Sequence, residues 1–189
     1  LPCYRRAGRH RPSECDNHHA GDLISGTFSK TFAGLGGSVV GNPNIIRFLK
    51  FQSRQHLFSA TMPPSTAAAV SKAIDLLDEE PQWMDQLWKN INFFKEGLLE
   101  LGLNIGNTQC AIIPVKIGDP AVTGELGKLL LKEGVYANSI IYPAVSKKDA
   151  RIRMAVMATH SKDQLAHTLE AFKKVTQSLN INNKLKRND

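Results

Sequence analysis

Between Gln82 and Leu101 the chain places Trp83, Leu87, Ile91, Phe94, Leu98 and Leu101 at steps of four and three, and Gly102 follows at once. That spacing lays six apolar side chains along one stripe of an α-helix, and glycine suits the left-handed residue that closes a helix. A helix this long with a single apolar stripe has to bury it, either on one domain or as a connector between two. On its C-terminal side the pattern changes. "AIIPVKI", "VYANSII" and "RIRMAVM" have the short apolar or alternating form of strands, and Glu125 to Glu133 reads as a helix ended by Gly134. Ser161 and Gln164 stand in capping-box spacing ahead of Leu165, Leu169, Phe172 and Val175, which share one helical face. The last third is therefore expected to be a small α+β domain.

On the N-terminal side, Val39 and Val40 after a Gly-rich turn suggest a short strand. Pro43 suits the start of a helix carrying Ile45, Ile46 and Leu49, and Ala67 to Leu77 is dense in helix formers. Residues 1–20 show no apolar period and are expected to be disordered. The 42% apolar and 22% charged content reads as a soluble globular protein. No apolar run approaches the roughly 18 residues of a membrane-spanning helix, so no membrane span is expected. Arg5, Arg6, Arg9 and Arg11 lie where a signal peptide would have its apolar segment, which makes the cytoplasm the expected compartment. Three cysteines, Cys3, Cys15 and Cys110, are too few and too odd for a disulfide framework. The net charge of +7 is partly carried by basic ends, without the clustered cations and aromatic partners of a nucleic-acid surface.

Lys30, in "GDLISGTFSKTFAGLGGSVVG", is the residue whose surroundings ask for chemistry. Thr27, Ser29 and Thr31 crowd it with hydroxyls, and Gly26, Gly34, Gly36 and Gly37 let a backbone approach a ligand closely. A P-loop would need glycine at positions 24 and 29, where Ile24 and Ser29 stand. The dinucleotide fingerprint fails as well, because Val39 occupies its last glycine position. A third chemistry remains: a lysine amine in a partly desolvated pocket can lose its proton and form a Schiff base with an aldehyde such as pyridoxal phosphate, whose phosphate nearby hydroxyls can hold.

"GTFSK" followed by "GLGGSVVG", then "RQHLFSATMPP", then "RIRMAVMATHSKDQL", in that order, resembles the α-oxoamine synthases. These are fold-type-I pyridoxal-phosphate enzymes that join an amino acid to an acyl-CoA with loss of carboxylate, and they include serine palmitoyltransferase, 8-amino-7-oxononanoate synthase, glycine C-acetyltransferase and 5-aminolevulinate synthase. The resemblance runs from about Asp22 to Leu179. It implies an α/β transferase fragment: the end of a large cofactor domain over 21–80, a connecting helix over 81–102, a small α+β domain over 103–180 and a basic tail over 181–189. It also implies a homodimer with its site at the interface.

By position, Lys30 resembles the lysine that holds the cofactor and moves protons at the amino acid's α-carbon, and Thr27 the threonine that binds the cofactor phosphate. Ser59 and Thr61 match a loop that reaches the partner's phosphate across the dimer; capping the helix after Pro64 would explain them equally. Arg153 matches the arginine that grips the substrate carboxylate, a task suited to a planar guanidinium. On an alternating strand it shares a face with Arg151 and Ala155, opposite Ile152, Met154 and Val156. His160 precedes the Ser161 cap and reads as a helix-entry residue. Tyr142 could line the mouth of the site or simply end a strand.

Enzymes of this family are about twice as long. Their acid for the pyridinium nitrogen and their ring-stacking histidine would fall upstream of Leu1, and Asp16, His18 and His19 do not match those motifs. The expectation is a chain that by itself binds cofactor weakly and does not turn over. Two other readings stand beside it: a catalytically inactive partner subunit of the same fold, and an N-terminal zinc or nucleic-acid module built from Cys3, His10, Cys15, His18 and His19, whose spacings fit no established zinc pattern.

Overall fold

The computed structural model describes residues 23–179. The N-terminal cysteines and histidines and the basic tail singled out above lie outside that range. The chain divides into two units between Pro81 and Gln82.

The first unit opens with an antiparallel ribbon of β1 (Leu23–Thr27) and β2 (Gly37–Gly41), paired from Leu23↔Gly41 to Thr27↔Gly37. Three helices follow: α1 (Pro43–Gln52), the short α2 (Arg54–Leu57) and α3 (Pro64–Glu79). Asn42 caps α1 by accepting from the Asn44 N–H, with Pro43 in the first helical turn, as its sequence signals. Among the described residues of this unit only Val70 belongs to the buried apolar set, while Leu35, Val40, Phe48, Phe51 and Phe58 are exposed.

The second unit holds the core. Its three-stranded antiparallel sheet has the order β3–β5–β4, with β3 at Ile112–Gly118, β4 at Asn138–Ile140 and β5 at Ala150–Ala155. Helices α4 (Gln82–Glu100), α5 (Pro120–Lys132) and α6 (Lys162–Ser178) complete it. Alternation along β5 buries Ala150, Ile152 and Met154 and turns Arg153 and Ala155 outward. Pro114, which cannot donate to a ladder, sits on the edge strand β3.

The apolar stripe of α4 lands in this core through Ile91, Phe94 and Leu98, and Phe94 meets Phe172 of α6 edge to face at 6.5 Å. Trp83, which heads the stripe in the sequence, is half exposed. The stop signals act as their sequence suggests. Gly102 (φ 74°) and Gly134 (φ 82°) each close a Schellman motif, with Leu103 N–H on Leu98 O and Val135 N–H on Leu130 O.

Two local expectations are corrected. The helix expected from Glu125 begins at Pro120, because Asp119 caps it by accepting from the Val122 N–H. The strand expected over "VYANSII" shrinks to Asn138–Ile140, because Val135 is consumed in closing α5. Neither β1 nor α2 was signalled by periodicity; β1 is too short and glycine-interrupted to show one. No helix among the described residues is long and apolar enough to cross a membrane.

Candidate active site

In the first unit, the segment joining β1 to β2 is held by its own backbone. Phe28 N–H donates to Gly36 O (3.0 Å), Gly34 N–H to Phe28 O (2.9 Å) and Ala33 N–H to Lys30 O (3.0 Å). Ala33 takes the left-handed conformation at φ 48°, and Phe28 and Phe32 meet edge to face at 5.9 Å. Glycine is required at Gly37, where any Cβ would collide with the Gly26 carbonyl of the facing strand. At Gly34 a Cβ would come within 3.0 Å of Val70 and 3.2 Å of Thr66, so the loop lies directly on α3. Lys30 is therefore carried on a turn with a defined backbone.

Beside it the hydroxyls of Thr27 and Ser29 are hydrogen-bonded at 2.8 Å, and the Ser29 N–H donates to Thr27 Oγ1 at 3.3 Å. Sequence reasoning selected Thr27; the structure adds Ser29 as its partner. One primary amine and two neighbouring hydroxyls form a donor set that fits an aldehyde bearing a phosphate. The partly desolvated pocket expected around Lys30 is not built by the described residues: Lys30 and its neighbours Ser29 and Thr31 are exposed, and the described part of their unit has almost no core.

Ser59 and Thr61 are exposed as well. The capping explanation for them fails: the N-cap position of α3 is Pro63, with no side-chain cap, and the Ser59 hydroxyl donates backward to the Gln55 carbonyl.

In the second unit the two arginines of β5 part company. Arg151 is tied to Asp149, through Nε to the carbonyl at 2.8 Å and through the guanidinium to the carboxylate at 3.2 Å. Arg153, between Pro114 of β3 and Asn138 of β4 in register, has no carboxylate partner among the described residues. It lines a pocket of ≈ 490 Å³ together with Asn138, Tyr136, Met157, His160 and His167. An unpaired guanidinium in a concave, partly apolar setting is suited to a carboxylate ligand. His160 enters α6 as expected: its Nδ1 accepts from the Met157 N–H at 3.3 Å, and Ser161 and Gln164 form the full capping box. Tyr142 is exposed beyond β4, with the Lys147 ammonium 5.5 Å from its ring centre.

Sequence reasoning missed Asn90. It is a buried polar residue on α4 whose Nδ2 donates to the carbonyls of Met157 (2.9 Å) and His160 (2.9 Å) and approaches that of Ala158 (3.3 Å). The only sequence signal was a polar residue beside the apolar stripe.

The chain has relatives among known proteins. The chain belongs to the aminotransferase class I and II family, whose model matches residues 5–172. It is 40% identical over 164 residues to the 8-amino-7-oxononanoate synthase of Alkaliphilus oremlandii (strain OhILAs), covering 87% of this chain and 42% of that protein. It is also 40% identical over 160 residues to the serine palmitoyltransferase of Sphingobacterium spiritivorum, covering 85% of this chain and 40% of that protein. A high-resolution structure of SPT with a PLP internal aldimine superposes with a TM-score of 0.79 at 27% identity, over 86% of this chain and 42% of the other. The chain thus spans about 40% of the length of the relatives it matches, and the fold is that of the fold-type-I transferases.

Proposed function

We propose that this chain is the C-terminal part of a pyridoxal-phosphate-dependent acyltransferase that condenses an amino acid with an acyl-CoA and releases the amino acid's carboxylate as carbon dioxide. The observation that carries it is the hairpin that presents Lys30 beside the bonded pair Thr27 and Ser29. It belongs to a chain 40% identical to an 8-amino-7-oxononanoate synthase.

In this reading Lys30 would hold the cofactor through its amine, with Thr27 and Ser29 holding the phosphate. The cofactor supplies an electron sink for the bond broken at the amino acid's α-carbon. The chain's own residues set which bond that is. Arg153 would grip the carboxylate with parallel N–H donors and so fix the rotation about the α-carbon, and the Lys30 amine would be the group that moves protons at that carbon. Ser59 and Thr61 would serve a second copy's phosphate in a homodimer. The large-domain remnant would run over 21–80, the connecting helix over 81–102 and the small domain over 103–180, in a cytoplasmic protein. Chain length and acyl donor would be set by pocket shape.

The test is direct. The purified chain is mixed with pyridoxal phosphate, reduced with borohydride, digested and analysed by mass spectrometry. The expected result is weak, substoichiometric labelling concentrated on Lys30 and lost in Lys30→Arg, without turnover. Labelling spread over surface lysines and unchanged in Lys30→Arg overturns the assignment. A non-catalytic partner subunit of the same fold is the second reading; it draws support from the exposure of Lys30, and copurification with a full-length homologue would favour it.

A further inference from the structure

We propose that Asn90 is a positioning residue for the Arg153 pocket: from helix α4 it locks the turn 157–160, and with it Met157 and the tautomer of His160, in the pocket wall. The proposal deepens the reading of Arg153 as the carboxylate-binding residue and rests on it for its functional meaning.

The geometry is over-determined. Asn90 is 5% exposed, so each of its amide atoms needs a partner. Its Oδ1 accepts from Gln86 Nε2 at 2.9 Å, one turn earlier on α4. Its Nδ2 faces three carbonyl oxygens, those of Met157, Ala158 and His160. An amide nitrogen has two hydrogens, so the two 2.9 Å contacts take them and the 3.3 Å contact to Ala158 is the shared one. Flipping the amide would set oxygen against three oxygens and nitrogen against the Gln86 amide nitrogen, so only one orientation satisfies the site.

The carbonyls it holds belong to a turn that is itself closed. His160 N–H donates to Met157 O at 3.3 Å, while Met157 N–H donates to His160 Nδ1 at 3.3 Å. A ring nitrogen that accepts carries no proton of its own, so this bond selects the tautomer with its hydrogen on Nε2. Met157 and His160 both line the pocket with Arg153, and Asn90 does not. Asn90 therefore acts on the pocket through other residues. The turn's own two bonds are local, but the donor that ties it to α4 comes from 67 to 70 positions earlier in the chain.

The experiment uses the full chain labelled with nitrogen-15. Long-range proton–nitrogen correlation reads the His160 tautomer, and acetate titration followed by amide shifts reads carboxylate binding. In the native chain His160 is expected with Nδ1 unprotonated. Asn90→Asp keeps the shape but sets a carboxylate against three carbonyls. It is expected to scramble the His160 tautomer and weaken acetate binding on the order of tenfold, while the Phe94 and Phe172 signals keep their native dispersion. Asn90→Ser, which retains one donor, is expected to fall between the two and serves if Asn90→Asp does not fold. A native His160 protonated on Nδ1, a tautomer unmoved in both variants, or acetate affinity unmoved while the tautomer shifts overturns the proposal. Acetate binding insensitive to Arg153→Met, with the tautomer still dependent on Asn90, instead overturns the carboxylate role of Arg153 and leaves the dependence of the turn on Asn90 supported.

Discussion

Arg151 and Arg153 show how much two identical side chains on one strand face can differ. Arg151 spends its donors on Asp149, an ion pair partly exposed on both sides and worth about 0–1 kcal/mol. Arg153 has no such partner among the described residues, so its removal should cost the fold little. Arg153→Met is expected to leave stability within about 0.5 kcal/mol, which thermal unfolding would show, while abolishing acetate-induced shifts in the pocket. A Tm drop of many degrees would mark Arg153 as a structural residue. The alternation that puts Arg153 outward was legible in "RIRMAVM", and so was the cluster of hydroxyls around Lys30. Which arginine was paired had a local signal that went unread: Asp149 stands two positions before Arg151, on the same face of an extended strand. The role of Asn90 was hidden for a different reason, since its partners lie 67 to 70 positions away in the turn after β5. The shelter expected around Lys30 came from chemistry, and the described residues of its unit have too little core to provide it.

At the scale of elements, the capping signals were read well, and the start of α5 and the length of β4 less well. Gly102, Gly134 and the Ser161–Gln164 box act through neighbours within a few positions, so sequence alone reveals them. Ser161→Ala should cost about 1 kcal/mol, measurable in urea. The packing of α4 on α6 was beyond such reading. Gly97 has no side chain because Leu169 of α6 occupies the space a Cβ would need. Gly97→Ala gains roughly 0.5–1 kcal/mol of helix preference but forces Leu169 aside at a cost of about 1–3 kcal/mol. The net expectation is a lower Tm, restored in part by adding Leu169→Ala to the same chain. A Tm that rises in Gly97→Ala would show that Leu169 moves freely.

For the molecule as a whole, the buried apolar residues are distributed very unevenly. Among the described residues, the cluster that includes Phe94, Ile113, Leu126, Ile152 and Phe172 lies entirely in the second unit, while the first contributes only Val70 to the buried set. Burial of a large side chain is worth about 1.5–3 kcal/mol, so nearly all the hydrophobic stabilisation among the described residues sits beyond Pro81. Hydrogen exchange followed by peptide mass spectrometry should therefore show protection in α4, β3, β5 and α6 and near-complete exchange within the β1–β2 ribbon. Equal protection in both would contradict the inventory of buried residues. Phe172→Ala should cost about 3–5 kcal/mol and release the second unit alone.

The phenylalanines at 48, 51 and 58, exposed at 64%, 66% and 86%, also govern how the protein behaves in a tube. Concentrated samples should turn cloudy through these exposed rings, and Phe58→Ser should delay the turbidity on warming without changing the denaturant midpoint reported by the unit beyond Pro81.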